Sequence, residues 1–297
     1  MSEERAAREP FRPPEDPPDL ALAVRLALEA GEILMRGLSR RPSVNRKGWR
    51  DLVSETDLES EAAVGRRLEI ERPDDGIFAE ERLRRPGTSG RVWVVDPLDG
   101  TTNFVHGHPM FCVSIALEEA GETLLGAVWA PYLGELFWAV RGAGGEMACL
   151  PRSFPAAGGT QLWPGARRPL AVTATGRIED SLIATGFPYS QSDRMNANLD
   201  NFSRVTLASR GVRRGGSAAL DLAYVACGRF DGFWELYLNR WDVAAAALMV
   251  TEAGGTVGDL SGGTRWRSGW EIVASNGMIQ SQLALRLEPA DPPPRDP

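Results

Sequence analysis

Acidic residues that could hold a divalent cation occur in four short segments of this 297-residue chain. The central segment, VWVVDPLDGTTNF at residues 92–104, carries Asp96 and Asp99 directly after an apolar run. We expect this run to be a buried strand that exposes both carboxylates at its carboxyl end, the edge where α/β sheets bind ligands. Two carboxylates three residues apart on a tight turn can chelate one hard cation or bridge two.

The residues that follow Asp99 favour a phosphate beside such a cation. Gly100 allows the backbone to approach a ligand closely. Thr101 and Thr102 can begin a helical turn whose free N–H groups suit an anion. An ordinary turn is the alternative for this segment, because Asp, Pro and Gly are the commonest turn-forming residues.

Three further acidic segments lie far apart in the chain: IFAEE at 77–81, DLVSETD at 51–57 and WELYLNRWDVAAAALMVTEAGG at 234–255. A solvated turn would explain Glu80 and Glu81 without any metal. Asp57 could be the N-cap of a helix. Asp242 is expected in the first turn of an Ala-rich helix, where an acidic residue is favoured by the helix dipole alone.

The pattern of apolar residues predicts the elements that must position these side chains. Before residue 150, helices are expected after Asp19 and over 58–71. An antiparallel sheet with hairpins should follow, with strands over 76–79, 91–95, 110–117, 123–129 and 135–140. After residue 170 the chain is predicted to be α/β, with strands over 170–173, 230–236 and 271–274 and helices over 196–209, 217–225, 241–252 and 278–287.

The distribution of prolines divides the chain. It predicts two disordered tails around one folded body, and a surface loop between the two halves of that body. The boundaries are 1–19 and 288–297 for the tails, 20–287 for the body, about 20–150 and 170–287 for its halves, and 151–169 for the loop.

Composition narrows the function and the compartment. A formal net charge of −7 disfavours a general nucleic-acid binder whose affinity rests on phosphate neutralisation. The three cysteines, Cys112, Cys149 and Cys227, show neither zinc spacing nor the pattern of a disulfide framework. The sequence has no secretory signal and no stretch of about 18 apolar residues, so we expect a cytoplasmic protein without a membrane span.

Taken together and in order, these segments resemble the inositol monophosphatase family of Mg²⁺-dependent, lithium-sensitive sugar-phosphate phosphatases. The similarity extends from about residue 20 to 285. It is carried by DLVSETD with AEE at 79–81, DPLDGTTNF at 96–104, RRGGSAALDLAYVACG at 213–228 and WDVAAAALMVTEAGG at 241–255. The resemblance implies an α+β fold, a layered αβαβα sandwich with an α+β amino-terminal half and an α/β carboxyl-terminal half around one cleft.

The resemblance also implies roles for single residues. Two or three Mg²⁺ ions would be held by Glu80, Asp96, the carbonyl of Leu98, Asp99 and Asp242. Glu80 and Thr101 would position the attacking water, and Asp57 would orient Thr101. Lys47 matches, loosely, a lysine near the mobile metal loop. Substrate would contact Gly100, Thr101, Gly216, Ser217, Ala218, Glu235 and Asp242.

The activity implied is hydrolysis of myo-inositol 1-phosphate, or a similar small polyol phosphate, to the alcohol and phosphate by in-line attack of a metal-activated water. Histidinol phosphate, fructose-1,6-bisphosphate and nucleotide phosphates remain rival substrates. A regulatory binding protein that keeps the fold is a further alternative. The resemblance implies a homodimer. The phosphatase hypothesis does not include a nucleic-acid partner.

Several features remain open or depart from the family pattern. Ala79 replaces the usual glycine, which a negative φ would tolerate. The arginine-rich segment RLRRPGTSGR at 82–91 could be a solvated face or could favour a more anionic substrate. His106 and His108, the only histidines, are interpreted as structural.

Overall fold

A computed structural model describes residues 10–11, 18–40, 44–46, 52–150, 163–164, 167–188 and 197–290. Its helices are α1 Pro18–Arg40, α2 Glu55–Glu71, α3 Thr101–Val105, α4 Leu199–Ala208, α5 Ala218–Ala226, α6 Arg240–Glu252 and α7 Gln280–Ala284. Its strands are β1 Pro10–Phe11, β2 Val44–Arg46, β3 Leu52–Ser54, β4 Gly76–Ala79, β5 Arg84–Arg85, β6 Arg91–Asp99, β7 Cys112–Glu119, β8 Glu122–Ala130, β9 Glu135–Val140, β10 Gly144–Cys149, β11 Trp163–Pro164, β12 Arg167–Pro169, β13 Leu182–Thr185, β14 Gly211–Arg213, β15 Gly232–Leu236, β16 Thr256–Gly258 and β17 Glu271–Ser275.

Two sheets form the framework. The larger has eight strands in the order β12-β10-β9-β8-β7-β6-β4-β5, and the smaller has five in the order β14-β13-β15-β17-β16. Neighbours in the larger sheet run antiparallel, as the hairpin pattern predicts, except that β4 lies parallel to β6. The smaller sheet is mixed, because β13 pairs parallel with β14 and β15 while β15–β17 and β17–β16 are antiparallel.

Helices and sheets alternate in layers. Helices α1 and α2 cover one face of the larger sheet, α5 and α6 fill the space between the two sheets, and α4 and α7 pack on the outer side of the smaller sheet. Because successive side chains of a strand point to opposite faces of the sheet, the side chains of one strand enter two separate cores. Phe233 faces the central core while Trp234 faces the outer one. This is the layered αβαβα arrangement, and the α+β fold class is confirmed.

The Ala-rich sequence of α6 permits unusually close packing against the larger sheet. A Cβ atom added at Gly126 of β8 would lie 2.7 Å from the Cα atom of Ala245 in α6. Small side chains on both elements therefore allow α6, the helix that carries Asp242, to lie close to the strands of the larger sheet.

The structure corrects several predicted elements. The predicted strand over 170–173 does not form, and the nearby strand is β12 instead. Strands β10, β13, β14 and β16 are absent from the prediction. Helix α2 begins at Glu55 with Ser54 as its N-cap, so Asp57 is not the N-cap.

The ends of the body also differ from the prediction. The N–H of Glu288 donates to Asn201 Oδ1 at 2.8 Å, and the N–H of Ala290 donates to Glu271 Oε2 at 2.7 Å. Residues 288–290 are therefore fixed to the body rather than part of a tail. Pro10–Phe11 pairs with Trp163–Pro164. Pro18 and Asp19, which the prediction placed in the first tail, belong to α1. The rest of the predicted tails and of the 151–169 loop, except 163–164 in β11 and 167–169 in β12, lies outside the described residues.

A helix that spans a bilayer needs about 20 mostly apolar residues. No helix among the described residues is both long and apolar enough to cross a membrane.

Candidate active site

One cavity brings the acidic segments together. It lies where β6 ends and where α3 and α6 begin. Its lining includes Glu80, Asp96, Leu98, Asp99, Gly100, Thr101, Gly216, Ala218, Glu235 and Asp242. Except for Asp57 and Ser217, every residue that the family resemblance assigns to metal, water or substrate lines this cavity.

Three carboxylates form the centre of the cavity. One oxygen atom from each of Asp96, Asp99 and Asp242 lies within 4.8 Å of the other two. Burial, followed by the negative charges of Glu80, Asp99 and Asp242, raises the pKa of Asp96 well above its ordinary value. Burial and the charge of Asp99 raise the pKa of Asp242 to about 8. The cluster is thus electrostatically unfavourable without a compensating positive charge.

Asp96 and Asp99 are placed by an irregularity in β6. The register between β6 and β7 shifts between these two residues, where Pro97 interrupts the ladder. The N–H of Leu98 donates to Asp96 Oδ1 at 3.0 Å. A bulge of this kind re-aims side chains and carbonyls at the end of a strand, which brings both carboxylates to the cavity.

Asp99 is held from behind by the start of α5. Its Oδ2 atom accepts hydrogen bonds from the hydroxyl of Ser217 at 2.7 Å and from the N–H of Ala219 at 2.8 Å. The Ser217 side chain is buried and is absent from the cavity lining. The structure therefore places Ser217 against Asp99, instead of on the surface that a substrate would touch.

Asp242 is held by the capping of α6. Its Oδ2 atom accepts the N–H of Asn239 at 2.6 Å, and Asn239 is the N-cap residue in a reciprocal capping box. The predicted position in the first helical turn is confirmed. Capping therefore fixes the carboxylate at the point where α6 meets the cavity.

Thr101 and Asp57 form the hydrogen bond that the resemblance implies. The Thr101 hydroxyl lies 3.1 Å from Asp57 Oδ1 and 3.3 Å from the carbonyl oxygen of Leu98. Asp57 is fully buried, and its Oδ2 accepts the N–H of Ser54 at 2.9 Å. Burial raises the pKa of Asp57, although the hydrogen bonds from Ser54 and Thr101 oppose the shift.

Gly100 makes the turn between β6 and α3 possible. Its φ is +93°, in the left-handed region, and an added Cβ would lie 2.8 Å from the carbonyl oxygen of Met110. A side chain at this position would both strain the backbone and collide with it. The expected helical turn from Thr101 is present as α3.

Glu80 directly follows β4 and lines the same cavity. Its N–H donates to the carbonyl of Val95 at 3.0 Å, which ties the residue to β6. Its carboxylate is not one of the three that mutually lie within 4.8 Å, but its charge raises the pKa of Asp96. Ala79, beside it, does not have a positive φ, so the replacement of glycine is tolerated.

Other residues of the cavity lining are predicted substrate contacts. They are Gly216, Ala218 and Glu235. Burial and the charge of Asp221 raise the pKa of Glu235 to about 8. Sequence reasoning missed further lining residues, namely Phe187, Pro188, Arg214, Leu236, Tyr237, Leu238, Asn239 and Trp241. Arg214 lies in the RRGGSAALD segment and Trp241 precedes Asp242. Their positions in or beside the motifs could therefore have identified both as lining residues.

Other candidate residues lie elsewhere. His106 and His108 are exposed at the end of α3 and do not line the cavity. Lys47 lies outside the described residues.

The donor set fits a hard divalent cation. Three convergent carboxylates with a fourth nearby provide oxygen ligands alone, and such a set suits Mg²⁺ better than softer metals. The raised pKa values of Asp96 and Asp242 indicate a site whose carboxylates need a cation to be ionised together.

Comparison with known proteins identifies the family of the chain. The model of the inositol monophosphatase family matches residues 17–290. An "Inositol-1-monophosphatase" of Mesorhizobium japonicum is 40% identical over 267 residues, covering 89% of this chain and 94% of that relative. A "Nus factor SuhB" of Pseudomonas aeruginosa is 38% identical over 283 residues, covering 93% and 98%.

A solved structure shows the same fold. The crystal structure of "extragenic suppressor protein suhB" from Bartonella henselae has a TM-score of 0.80 at 39% identity, covering 91% of this chain and 98% of that one. A family match over most of the chain, relatives of this similarity and a cavity lined by the family's residues lead to one conclusion: the chain belongs to the inositol monophosphatase family.

Proposed function

We propose that this protein is a Mg²⁺-dependent phosphomonoesterase that hydrolyses myo-inositol 1-phosphate, or a similar small polyol phosphate, to the alcohol and inorganic phosphate. The observation that carries the proposal is the convergence of Asp96, Asp99 and Asp242 within 4.8 Å beside Thr101. The name of the Mesorhizobium relative, "Inositol-1-monophosphatase", supports this choice of substrate.

The residues that would hold two or three Mg²⁺ ions are Glu80, Asp96, the carbonyl of Leu98, Asp99 and Asp242. When bound, Mg²⁺ neutralises the charges of the carboxylates and of the phosphate and lowers the pKa of a coordinated water.

Thr101 positions the nucleophilic water through its own hydrogen bond. Its hydroxyl donates to the buried Asp57 Oδ1, 3.1 Å away, so an oxygen lone pair remains available toward the cavity. This lone pair accepts a hydrogen bond from the water, and Glu80 accepts a second one. The water is thereby oriented for in-line attack on phosphorus.

The phosphate and the alcohol would occupy different parts of the cavity. Backbone N–H groups of Gly100 and Thr101 would bind phosphate oxygens. Gly216 and Ala218 offer a wall without bulky side chains. Glu235 accepts hydrogen bonds from substrate hydroxyl groups.

A phosphate-release screen tests this function. The panel contains myo-inositol 1-phosphate, glycerol phosphate, histidinol phosphate, fructose-1,6-bisphosphate, NADP and 3′-phosphoadenosine phosphate, each with Mg²⁺ and with EDTA. Mg²⁺-dependent release that is fastest from the inositol ester supports the proposal. Faster release from another ester moves the assignment to that substrate, and no release from any of them refutes phosphatase activity.

A second function is favoured by the name "Nus factor SuhB" of the Pseudomonas relative. A binding role would not need the catalytic cluster. Cells lacking the protein are complemented with wild type and with Asp99→Asn. Rescue by the inactive variant indicates a binding role, whereas failure of rescue with normal protein levels assigns the phenotype to catalysis.

The assembly and compartment belong to the same proposal. We expect a cytoplasmic homodimer, sensitive to lithium, whose substrate is a small molecule and which does not need nucleic acid or a membrane for catalysis. Sedimentation of the purified protein measures the oligomeric state.

A further inference from the structure

The arginine-rich segment after Glu81 has a structural role that the cavity does not explain. None of its four arginines is among the described residues that line the cavity. Arg85 donates to the carbonyl oxygens of Arg72 and Asp75, and Arg91 pairs with Asp19. These contacts explain the positions of Arg85 and Arg91 without any substrate.

Arg84 makes a different set of contacts. Its Cζ atom lies 4.2 Å from the centroid of the Phe78 ring and 5.1 Å from that of the Trp241 ring. The two ring centroids are 5.4 Å apart. Within the part of the chain that the structure describes, Arg84 forms no ion pair with a carboxylate, so its guanidinium is committed to the two rings and to backbone carbonyls.

The two rings belong to two segments that each carry an acidic residue of the cavity, Glu80 in one and Asp242 in the other. Phe78 lies two residues before Glu80 on β4, and Trp241 directly precedes Asp242 in α6. These segments are separated by about 160 residues of sequence, yet Arg84 spans them. Its Nη2 also lies 3.4 Å from the carbonyl oxygen of Glu80.

Arg84 is exposed, and neighbouring contacts support the bridge that it forms. Arg84 is the cross-strand partner of Phe78 in the β4–β5 pair. Arg240 lies 5.4 Å from the Phe78 centroid and is itself anchored to the buried carboxylate of Glu118. Both aromatic rings are therefore held by a guanidinium, and the bridge connects a strand of the larger sheet to the first turn of α6.

We propose that Arg84 is a positioning residue that fixes Glu80 and Asp242 relative to each other by stacking on Phe78 and Trp241. The proposal rests on the proposed metal dependence of the site. Metal affinity depends on ligands being held at the right separation before the cation arrives, because the ordering then costs less on binding.

Electrostatics alone predicts the opposite effect. A positive charge near a carboxylate cluster repels a divalent cation, so removing Arg84 should strengthen Mg²⁺ binding if charge were its only contribution. A weaker affinity after its removal would therefore identify a positioning role. Arg82 provides the matched control, because it is an exposed arginine in the same segment that does not stack on either ring.

The experiment is calorimetric titration of Mg²⁺ into the full-length, metal-free protein without substrate. Arg84→Ala should raise the Kd for Mg²⁺ by about 3- to 10-fold, on the scale of two cation–π contacts. Arg84→Lys, which keeps the charge without the planar guanidinium, should give an intermediate value. Arg82→Ala should leave the Kd within about twofold of wild type or lower it.

Turnover provides the second measurement. Because Arg84 does not line the cavity, Arg84→Ala at saturating Mg²⁺ should keep its kcat within about threefold of wild type. An unchanged or lower Kd in both Arg84 variants would overturn the positioning role, as would equal weakening by Arg82→Ala. Wild type that binds no Mg²⁺ would instead refute the metal dependence on which the inference rests.

Discussion

The reactive side chains of this site are held by neighbouring side chains and backbone N–H groups. Ser217 donates to Asp99, Asn239 caps α6 through Asp242, and Asp57 accepts from Thr101. Each of these hydrogen bonds fixes one oxygen atom and leaves the rest of the carboxylate or hydroxyl group available to the cavity. Orientation of the reacting groups is thus achieved before substrate binds, which lowers the entropic part of the barrier.

Replacement of Thr101 tests how much of the rate depends on its hydroxyl. Thr101→Ala removes the group between Asp57 and the attacking water, so kcat should fall about 10²- to 10⁴-fold, the usual effect of losing a proton-transfer or water-orienting group. Thr101→Ser keeps the hydroxyl and should recover most of this loss. Equal activity of the Ala and Ser variants in steady-state assays would remove Thr101 from the proposed mechanism.

Sequence reasoning located the reactive groups better than the groups around them. The motifs that contain Asp96, Asp99 and Asp242 are sufficient to predict that these residues meet in one cavity. The position of Ser217 against Asp99 cannot be predicted in this way, because the sequence does not distinguish a hydroxyl beside a metal ligand from one beside a substrate. Tyr237 enters the cavity wall with a φ of +63°, a backbone conformation that no local pattern indicates.

The contact between β8 and α6 depends on the absence of side-chain volume. Gly126→Ala would place a methyl group 2.7 Å from the Cα atom of Ala245, and this backbone cannot move without displacing the helix that carries Asp242. The free energy of unfolding should fall by about 1–3 kcal/mol. Chemical denaturation measures the change.

Gly258→Ala is the matched control for that substitution. Gly258 also lies in a strand, but an added Cβ would meet no atom within 4 Å and its φ is not positive. This variant should stay within about 0.5 kcal/mol of wild type. Equal destabilisation by the two substitutions would show that packing against α6 is not the cause.

Elements with a clear pattern were predicted, and several short strands were missed. The bounds of β4 and β9 agree with the sequence pattern, and those of α6 differ from it by one residue. Strands β4 and β13 both have four residues, but β4 follows the turn-forming residues 73–76, PDDG, whereas β13 follows no such signal. A short apolar run without a turn signal is ambiguous between strand and helix. The parallel pairing of β4 with β6 is a tertiary relation that periodicity does not contain.

The layered fold as a unit concentrates buried acid in its central cleft, so its stability should depend on pH and metal. Burial first, and then neighbouring charge, raises the pKa of Asp242 and of Glu235 to about 8. An unfolded carboxyl titrates near pH 4. The metal-free folded chain therefore binds more protons than the unfolded chain between about pH 4 and 8, and its stability falls as pH rises through this window.

Mg²⁺ should remove much of this pH dependence, because it binds the ionised carboxylates. In EDTA, the Tm is expected to fall between pH 5.5 and 8.5. The increase in Tm on adding Mg²⁺ should be larger at pH 8.5 than at pH 5.5, as measured by differential scanning calorimetry. A Mg²⁺-induced increase that is the same at both values would contradict the proposed coupling between proton and metal binding.

The arrangement of layers was anticipated through family resemblance, while the hydrophobic pattern by itself predicted only an antiparallel half and an α/β half. The difference has a physical origin. Consecutive apolar residues in a strand, such as Phe233 and Trp234, indicate that both faces are buried, but they do not say which helices cover each face. That information resides in long-range contacts.

The decisive measurement is the rate of phosphate release from myo-inositol 1-phosphate as a function of Mg²⁺, for wild type and for Asp99→Asn. Asn keeps the shape of Asp99 but removes the charge that the cluster would offer to a cation. We predict release that requires Mg²⁺ in wild type and that falls by several orders of magnitude, on the order of 10³-fold or more, in the folded variant. Release that persists in EDTA, or that is equal in Asp99→Asn, would contradict a metal-dependent phosphatase centred on these carboxylates.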